Sequence, residues 1–348
     1  MEMTNQLQEA EKMQAMPLLR ESAAQIEEVF GTALDEITVE RAVFGLFFSG
    51  VKLSTGHGGL CFTPVKEMPE AVCCPSSAKA MPLSGKLRGR PVRAYLDDIF
   101  CGNVLRRTLG IAALNALSMA VWDSQKNAKV QNNQTEAALA AKEQKEQDKA
   151  AAFAAAEQGR PEKAAGSSAS SCGTYEIYRE IVHGAYSYEI LHNADAFDYI
   201  DVSKYKKSAV VGALVPILKK LIAAGADFHV LEQDPRTLKE REMPYYLPAD
   251  RAADCVPSAD LLVITGVTIL NDTLPGLLRM AKPGAEILVT GPTASMLPDA
   301  FFRRGVTMLG GIQVTKPDEL LDIISEGGSG YHFFGKYAER TLIRKISG

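Results

Sequence analysis

The sequence predicts an α/β protein in which an α+β domain is followed by a domain built on a doubly wound parallel sheet. From residue 206 onward, short apolar runs alternate with helical patterns, and this alternation favours parallel strands joined by right-handed crossovers. Upstream, helical patterns flank two strand patterns that are separated by a glycine-rich turn. Such a mixture is typical of an α+β domain.

Length and composition agree with two globular domains. The chain has 348 residues, of which 46% are hydrophobic and 23% charged, and its net charge is −4. This length gives room for two cores, and the lack of a basic field argues against nucleic acid or an anionic membrane as partner. No apolar run reaches about 18 residues and no signal-peptide pattern is present. We therefore expect a cytoplasmic protein with reduced cysteines.

The N-terminal domain is predicted to contain helices and an antiparallel hairpin. Apolar residues such as Leu19, Ile26 and Phe30 recur at helical spacing. Residues 54–59 form the turn of the hairpin, because their glycines accept the positive φ of such turns. The predicted helices cover 6–34, 93–100 and 105–122, and the predicted strands cover 43–52 and 58–63.

The C-terminal domain is predicted to alternate strands with helices. Each strand pattern is a short apolar run bounded by turn residues. The predicted strands cover 208–211, 227–231, 261–265, 286–290 and 306–314. The predicted helices cover 215–224, part of 248–259, 274–280, 298–304 and 317–326.

A segment between the two domains differs from both in composition. Residues 124–172 are rich in Ala, Gln, Lys and Glu, and their large apolar residues are Val130, Leu139 and Phe153. So few core-forming side chains cannot offset the entropy of ordering. We interpret the segment as an inserted low-complexity linker; the alternative is a helix that binds a partner. The predicted domains are therefore 1–123 and 173–348.

The carboxyl ends of the predicted strands are the expected ligand-binding positions of an open parallel sheet. Gly212 follows the first strand, and Glu232 lies about twenty residues later, where dinucleotide-binding folds place an acid on the ribose. The residues after Gly212 lack the further glycines of the dinucleotide fingerprint. Gly212 therefore has two interpretations, a ligand-binding turn and a tight turn without a ligand.

The loops after the third and fourth of these strands are small and polar. Their amides and hydroxyls suit an anion or a carboxylate beside helix N-termini, although short turns without a ligand have the same composition. Two such loops at neighbouring strand ends favour a binding site. The candidate residues are Thr265, Gly266, Thr268 and Asn271 in one loop and Gly291, Pro292, Thr293 and Ser295 in the other.

His57 and Cys61 are the candidate metal ligands. Both lie in the predicted hairpin, and imidazole and thiolate suit a transition metal as cofactor. The alternative is a structural role for each. Cys73 and Cys74 are adjacent rather than spaced like zinc ligands, and the sequence contains neither a nucleophile elbow nor a His-Glu-x-x-His motif.

Several stretches resemble the putative heavy-metal chelation domain family. In the N-terminal half, the Gly-Ile-Ala-Ala-Leu-Asn-Ala-Leu run at 110–117 resembles a helix of that family's companion domain. The resemblance covers most of the chain outside the insertion and the extreme N-terminus. This chain departs from the family at the insertion and at Thr293, where a serine is common. The C-terminal stretches are Val210–Gly212, Val230–Glu232, Ile264–Leu274, Val289–Pro298 and Gly310–Gly311.

The resemblance implies a fold and a general role. The implied fold is an α+β enolase N-terminal-like domain followed by a Rossmann-like domain. The implied role is binding of a metal, or of a metal-linked small anionic ligand, in a cleft between the domains. The alternative from the residues is an enzyme that acts on a nucleotide or another anionic metabolite at the same cleft. The sequence leaves open whether a reaction is catalysed, which ligand is bound and whether the protein is a homo-oligomer.

The composition of the insertion generates a first prediction. Replacing Ala128–Ser170 by a short Gly/Ser linker should leave the melting temperature nearly unchanged, because this segment has few side chains that could pack into a core. Thermal unfolding followed by circular dichroism measures the effect. A large loss of stability would show that the segment packs against the rest of the protein.

Overall fold

The computed structural model describes residues 16–67, 83–126, 179–182 and 185–346. Residues 1–119 and 177–348 belong to one compact unit, and residues 120–176 belong to a second, smaller one. Nearly all of the predicted insertion and the first part of the predicted N-terminal helix lie outside the described residues. The domain boundaries inferred from composition stay a prediction.

The N-terminal residues of the large unit form helices around a small sheet. Strands β1, β2 and β3 pair antiparallel in the order β1-β2-β3, so the predicted hairpin is present as β2 and β3. The strands are β1 (Val39–Phe44), β2 (Phe48–Leu53) and β3 (Gly58–Phe62), and the helices are α1 (Pro17–Phe30), α2 (Val92–Asp98) and α3 (Val104–Lys126).

Helix α3 packs directly on the backbone of β3. A β-carbon placed on Gly59 would lie 2.1 Å from the carbonyl oxygen of Ala112 and 2.6 Å from the amide nitrogen of Ala116. No side chain fits in this space, so glycine is the residue that allows helix and strand to approach this closely. Leu60, the next residue of β3, packs into a cluster with Leu321 and other C-terminal apolar residues.

The C-terminal residues form a nine-stranded mixed sheet with helices. The six strands from β6 to β11 pair parallel with one another, and β12, β5 and β4 extend the sheet beyond β11 by antiparallel pairing. The strands are β4 (Arg179–Val182), β5 (Tyr188–His192), β6 (Ser208–Val211), β7 (Phe228–Glu232), β8 (Tyr246–Pro248), β9 (Leu261–Thr265), β10 (Glu286–Thr290), β11 (Met308–Val314) and β12 (Ala338–Lys345). The helices are α4 (Val215–Ala223), α5 (Ala252–Cys255), α6 (Val267–Leu270), α7 (Leu274–Met280), α8 (Asp299–Phe302), α9 (Pro317–Ser325) and α10 (Gly330–Phe333).

The order of the parallel strands reverses between β6 and β9. Across the sheet the order is β8-β7-β6-β9-β10-β11, so the chain first builds outward from β6 in one direction and then in the other. This is the order of doubly wound sheets, in which ligands commonly bind outside the carboxyl ends of the two strands where the order reverses. The predicted α/β class with a parallel sheet is confirmed.

Two parts of the sheets differ from the sequence prediction. The predicted strand over 43–52 is two strands, because the chain turns back between Phe44 and Phe48. A β-carbon on Gly45 would lie 2.4 Å from Ile324, which makes this turn a glycine position. Strands β4, β5, β8 and β12 were not predicted. In β12 the exposed Arg340 and Arg344 flank three consecutive buried residues, and the position of this strand depends on its pairing with β11.

Within the described residues, one helix is long and apolar enough to span a membrane. It is α3, with a mean hydropathy of 1.3 in its most apolar window, and 83% of that window is buried inside the protein. A buried core helix passes the same test of length and composition, so this property by itself is weak evidence for a membrane span.

The close contact between α3 and β3 generates a second prediction. Gly59→Ala should lower the free energy of unfolding by about 1–3 kcal/mol or more, because the added methyl group overlaps backbone atoms of α3. Gly276→Ala in α7 is the matched control, since the nearest atom to its added β-carbon is 4.0 Å away. The control should leave stability unchanged or raise it by up to about 1 kcal/mol. Urea unfolding compares the two, and equal stabilities would contradict the packing described above.

Candidate functional site

The candidate site lies where the strand order reverses. Gly212 follows β6 with a φ of +96°, and a β-carbon on it would lie 2.9 Å from the Cγ2 atom of Thr265 at the end of β9. Only glycine adopts this φ readily and leaves room for the threonine. The ends of β6 and β9 are therefore in contact. The sequence predicted this, because it placed Gly212 and Thr265 at the carboxyl ends of parallel strands.

The loop after β10 reaches the same place. Gly266 donates its amide to the carbonyl of Thr290 at 2.7 Å, and Gly291 follows with a φ of +127°. Small, half-exposed residues thus line the ends of three neighbouring strands. We call this the strand-end surface, and it consists of Gly212, Ala213, Thr265, Gly291 and Pro292.

The amides of the strand-end surface already donate within the protein. Gly212 donates to the Leu231 carbonyl at 2.9 Å and Gly291 donates to the Gly310 carbonyl at 2.8 Å. Ala213 donates to the carboxylate of Glu232 at 2.9 Å. Proline has no N–H. An anion on this surface therefore needs a side chain, rather than the predicted row of free amides, to balance its charge.

Glu232 binds the protein's own backbone. Besides the Ala213 amide, its carboxylate accepts the amides of Gln233 at 2.8 Å and Asp234 at 3.3 Å. The carboxylate thus fixes the loop after β6 to the end of β7. This use of both oxygens does not favour the ribose contact considered from the sequence.

Thr293 and Ser295, also candidates from the sequence, are buried. The Thr293 hydroxyl accepts the Phe62 amide at 3.0 Å. The Ser295 hydroxyl accepts the Ile312 amide and donates to the Pro292 carbonyl, each at 2.9 Å. These contacts give both hydroxyls a structural function, and a ligand-binding function for them stays a prediction.

Asn115 of α3, which sequence reasoning missed as a functional position, joins this loop to the hairpin. It is 1% exposed, and its side-chain amide nitrogen donates to the carbonyl of Leu60 at 2.8 Å and to those of Pro292 and Thr293 at 3.2 Å each. A polar residue within an apolar helical pattern was the available signal. Asn115 fixes the loop after β10 against β3.

Thr268 and Asn271 also make local contacts. The buried Thr268 hydroxyl donates to the Thr265 carbonyl at 2.7 Å. Asn271 Oδ1 accepts the amide of Thr273 at 3.2 Å and its hydroxyl at 2.7 Å. Both side chains shape the turn after β9, and Asn271 remains half-exposed.

His57 and Cys61 are separated along the hairpin. Four residues of extended chain span roughly 13 Å, so the two side chains do not meet at one ion. Cys61 is fully buried, and burial raises the pKa of its thiol to about 12. His57 Nδ1 lies 3.0 Å from the Thr55 hydroxyl. Among the described residues, no three His, Cys, Asp or Glu side chains form a group that could hold a metal; Cys73 and Cys74 lie outside them.

Residues 62–66, which we call the strap, link two loops at the carboxyl ends of the parallel strands. One end is held by the bond from Phe62 to Thr293 after β10. At the other end, Lys66 Nζ donates to Asp234 Oδ2 at 2.5 Å after β7. Strands β9 and β6 lie between β10 and β7. Three strand spacings amount to about 14 Å. The strap enters a 3-10 helix at Val65–Glu67, and the Lys66 side chain supplies the rest of the reach to Asp234.

Comparisons with known proteins identify the family. Residues 195–343 match the sequence model of the DUF364 family and residues 27–118 match that of the DUF4213 family, and both are described as "putative heavy-metal chelation". The two matches cover about two thirds of the chain. The chain therefore belongs to the DUF364 and DUF4213 proteins described as "putative heavy-metal chelation", as the resemblance of its loops implied.

Known relatives agree with the fold. An uncharacterized protein of Methanocaldococcus jannaschii is 30% identical over 138 residues, or 39% of this chain, so that the chain spans about half (52%) of that relative. Crystal structures of DUF364-family proteins with unknown function from Pyrococcus horikoshii and Desulfitobacterium hafniense have TM-scores of 0.61 and 0.57. Each is 18% identical, and they cover 94% and 92% of this chain and 100% of their own. At this identity the likeness shows the fold alone.

The buried hydroxyl of Thr293 generates a third prediction. Thr293→Val should lower the free energy of unfolding by about 1–3 kcal/mol, because the Phe62 amide loses its acceptor in a buried position. Thr293→Ser is the matched control; it keeps the oxygen and loses one methyl group, at a cost of about 0.8 kcal/mol. Hydrogen exchange should show the Phe62 amide less protected in the valine variant than in the serine variant. Equal protection in both variants would refute the structural role of the hydroxyl.

Proposed function

We propose that this protein binds a small anionic ligand that carries a metal ion, and that the ligand lies on the strand-end surface. The observation that best supports this proposal is the contact between Gly212 and Thr265, where the strand order reverses. The five residues of this surface carry no side chain larger than threonine or proline, so their own side chains leave the backbone within reach of a ligand.

The metal in this proposal is brought by the ligand. Thiolates and imidazoles are the usual protein ligands of heavy metals, but the described part of the chain offers no group of three such side chains or carboxylates. Binding the organic part of a metal complex instead requires a surface of matching shape and charge. The lack of such a group among the described residues, together with a surface of small residues, supports binding of a metal complex whose metal is not ligated by protein side chains.

Binding is favoured over catalysis at this surface. Gly212, Ala213, Thr265, Gly291 and Pro292 include no side chain that titrates near neutral pH, and the carboxylate of Glu232 is engaged by three backbone amides. An enzyme acting on a nucleotide would need an acid, a base or a nucleophile within reach of its substrate. The enzyme hypothesis is therefore the weaker of the two.

The proposal keeps the finer expectations from the sequence. We infer that residues 1–123 act as an enolase N-terminal-like domain and residues 173–348 as a Rossmann-like domain, in the cytoplasm. The contacts of Phe62 and Asn115 with the loop after β10 support a site bounded by both parts, since they bring β3 and the strap to the strand ends.

The fourth prediction tests the proposal by placing a charge on the surface. Thr265→Asp should weaken binding of an anionic metal complex at least tenfold by repulsion, whereas Thr265→Asn, nearly the same size but neutral, should bind within about threefold of wild type. Titration calorimetry with citrate, with Ni²⁺–citrate and with Ni²⁺ alone measures the affinities, and thermal unfolding checks that both variants fold.

Two results would contradict the proposal. The first is tight binding of Ni²⁺ alone that neither variant changes, which would place metal ligands elsewhere in the chain. The second is no binding of any probe at millimolar concentration by a wild-type protein that also carries neither metal nor organic anion after purification. Elemental analysis and mass spectrometry of the denatured supernatant detect such a carried ligand.

A further inference from the structure

The strand-end surface lacks charge of its own, although the proposed ligand is anionic. Its amides at Gly212, Ala213 and Gly291 already donate to protein oxygens. A buried or half-buried anion needs a compensating charge or hydrogen-bond donor. The compensating group must therefore come from a neighbouring side chain.

The strap brings a lysine to this surface. The Lys66 ammonium is bound to Asp234, and the Asp234 amide donates to the same Glu232 carboxylate that accepts the Ala213 amide. Lys66 is thus connected to the strand-end surface through two carboxylates, those of Asp234 and Glu232. An ammonium group has three donors, and with 72% of the Lys66 side chain exposed, donors remain for a ligand.

The carboxylate of Asp234 lies between two cationic side chains, those of Lys66 and Arg236. Its carboxylate accepts Nε and Nη2 of Arg236 at 2.8 and 2.9 Å as well as the Lys66 ammonium. Hydrogen bonds from Arg236 and Lys66 hold the pKa of Asp234 well below its usual range, so the group is ionised at neutral pH. With the Glu232 carboxylate counted, the charges of Lys66 and Arg236 balance those of Asp234 and Glu232. An oxyanion is therefore held by the exposed Lys66 ammonium itself rather than by a net positive field.

We propose that Lys66 is the ligand-binding residue that contacts a carboxylate or phosphate oxygen of the anionic ligand, and that Asp234 is the positioning residue that holds it there. This inference rests on the proposed function and names the charged group that the site recognises. It also assigns a role to the strap, which joins a cation of the N-terminal region to a surface built by C-terminal strands.

The chain offers a matched control for the fifth prediction. Lys204 is 71% exposed and lies near Asp201 at 3.9 Å, so it resembles Lys66 in exposure and in having an acidic neighbour. It precedes β6 and therefore lies toward the opposite, amino-terminal end of that strand. Lys66→Met and Lys204→Met each remove one charge, and Lys66→Arg keeps it.

Calorimetric titration with citrate and with inorganic phosphate at several salt concentrations gives the test. Lys66→Met should bind citrate at least tenfold more weakly, with a smaller dependence on salt, because one cationic contact is lost. Lys66→Arg should stay within about threefold of wild type, and Lys204→Met should be unchanged. A purely structural lysine would alter the melting temperature without this change in salt dependence.

The outcomes separate this inference from the proposed function. If Lys66→Met binds like wild type while Thr265→Asp loses binding, the site is correct and the role of Lys66 is wrong. If Lys66→Met and Lys204→Met weaken binding equally, the effect is one of net charge and the inference also fails. If the wild type binds no probe and purifies without a ligand, the proposed function fails and this inference fails with it.

Discussion

The side-chain amide of Asn115 is the contact on which the geometry of the candidate site depends. One nitrogen atom donates to carbonyl groups of the hairpin and of the loop after β10. It reaches both because Gly59 lets α3 lie directly on the backbone of β3. Buried polar groups are costly unless they are paired. The nitrogen of Asn115 is paired, whereas its Oδ1 is buried without a hydrogen-bond partner among the described residues. The strap begins where β3 ends, and its course across the sheet follows from this arrangement.

The sequence was informative about the parallel sheet because its signals are local. Strands such as β9 and β10 are runs of apolar residues that end in small polar ones, and each run is followed by a helical pattern. The antiparallel strands β5 and β12 have no such pattern. Their positions depend on pairing with each other and with β11, and long-range pairing leaves little trace in a single sequence.

The meeting of the strand ends was predictable from the sequence, whereas the directions of their side chains were not. Gly212 and Thr265 lie together because strand ends meet at one edge of a parallel sheet. The sequence does not indicate the direction in which a hydroxyl points. Thr293 was a candidate ligand-binding residue, and its oxygen accepts a hydrogen bond from an amide of β3. Nothing near Thr293 in the sequence identifies Phe62 as its partner. For the same reason, Lys66 could not be linked to Asp234 before the strap was seen.

The bond between Phe62 and Thr293 also has a consequence for biosynthesis. The two residues are 231 positions apart, and a ribosome adds roughly 5–20 residues per second. Strand β3 therefore emerges on the order of 10–50 s before its acceptor exists. During that interval its open edge has to be kept from other chains, because an unpaired strand is a template for aggregation. The contact between the N-terminal sheet and the loop after β10 therefore forms only late in translation.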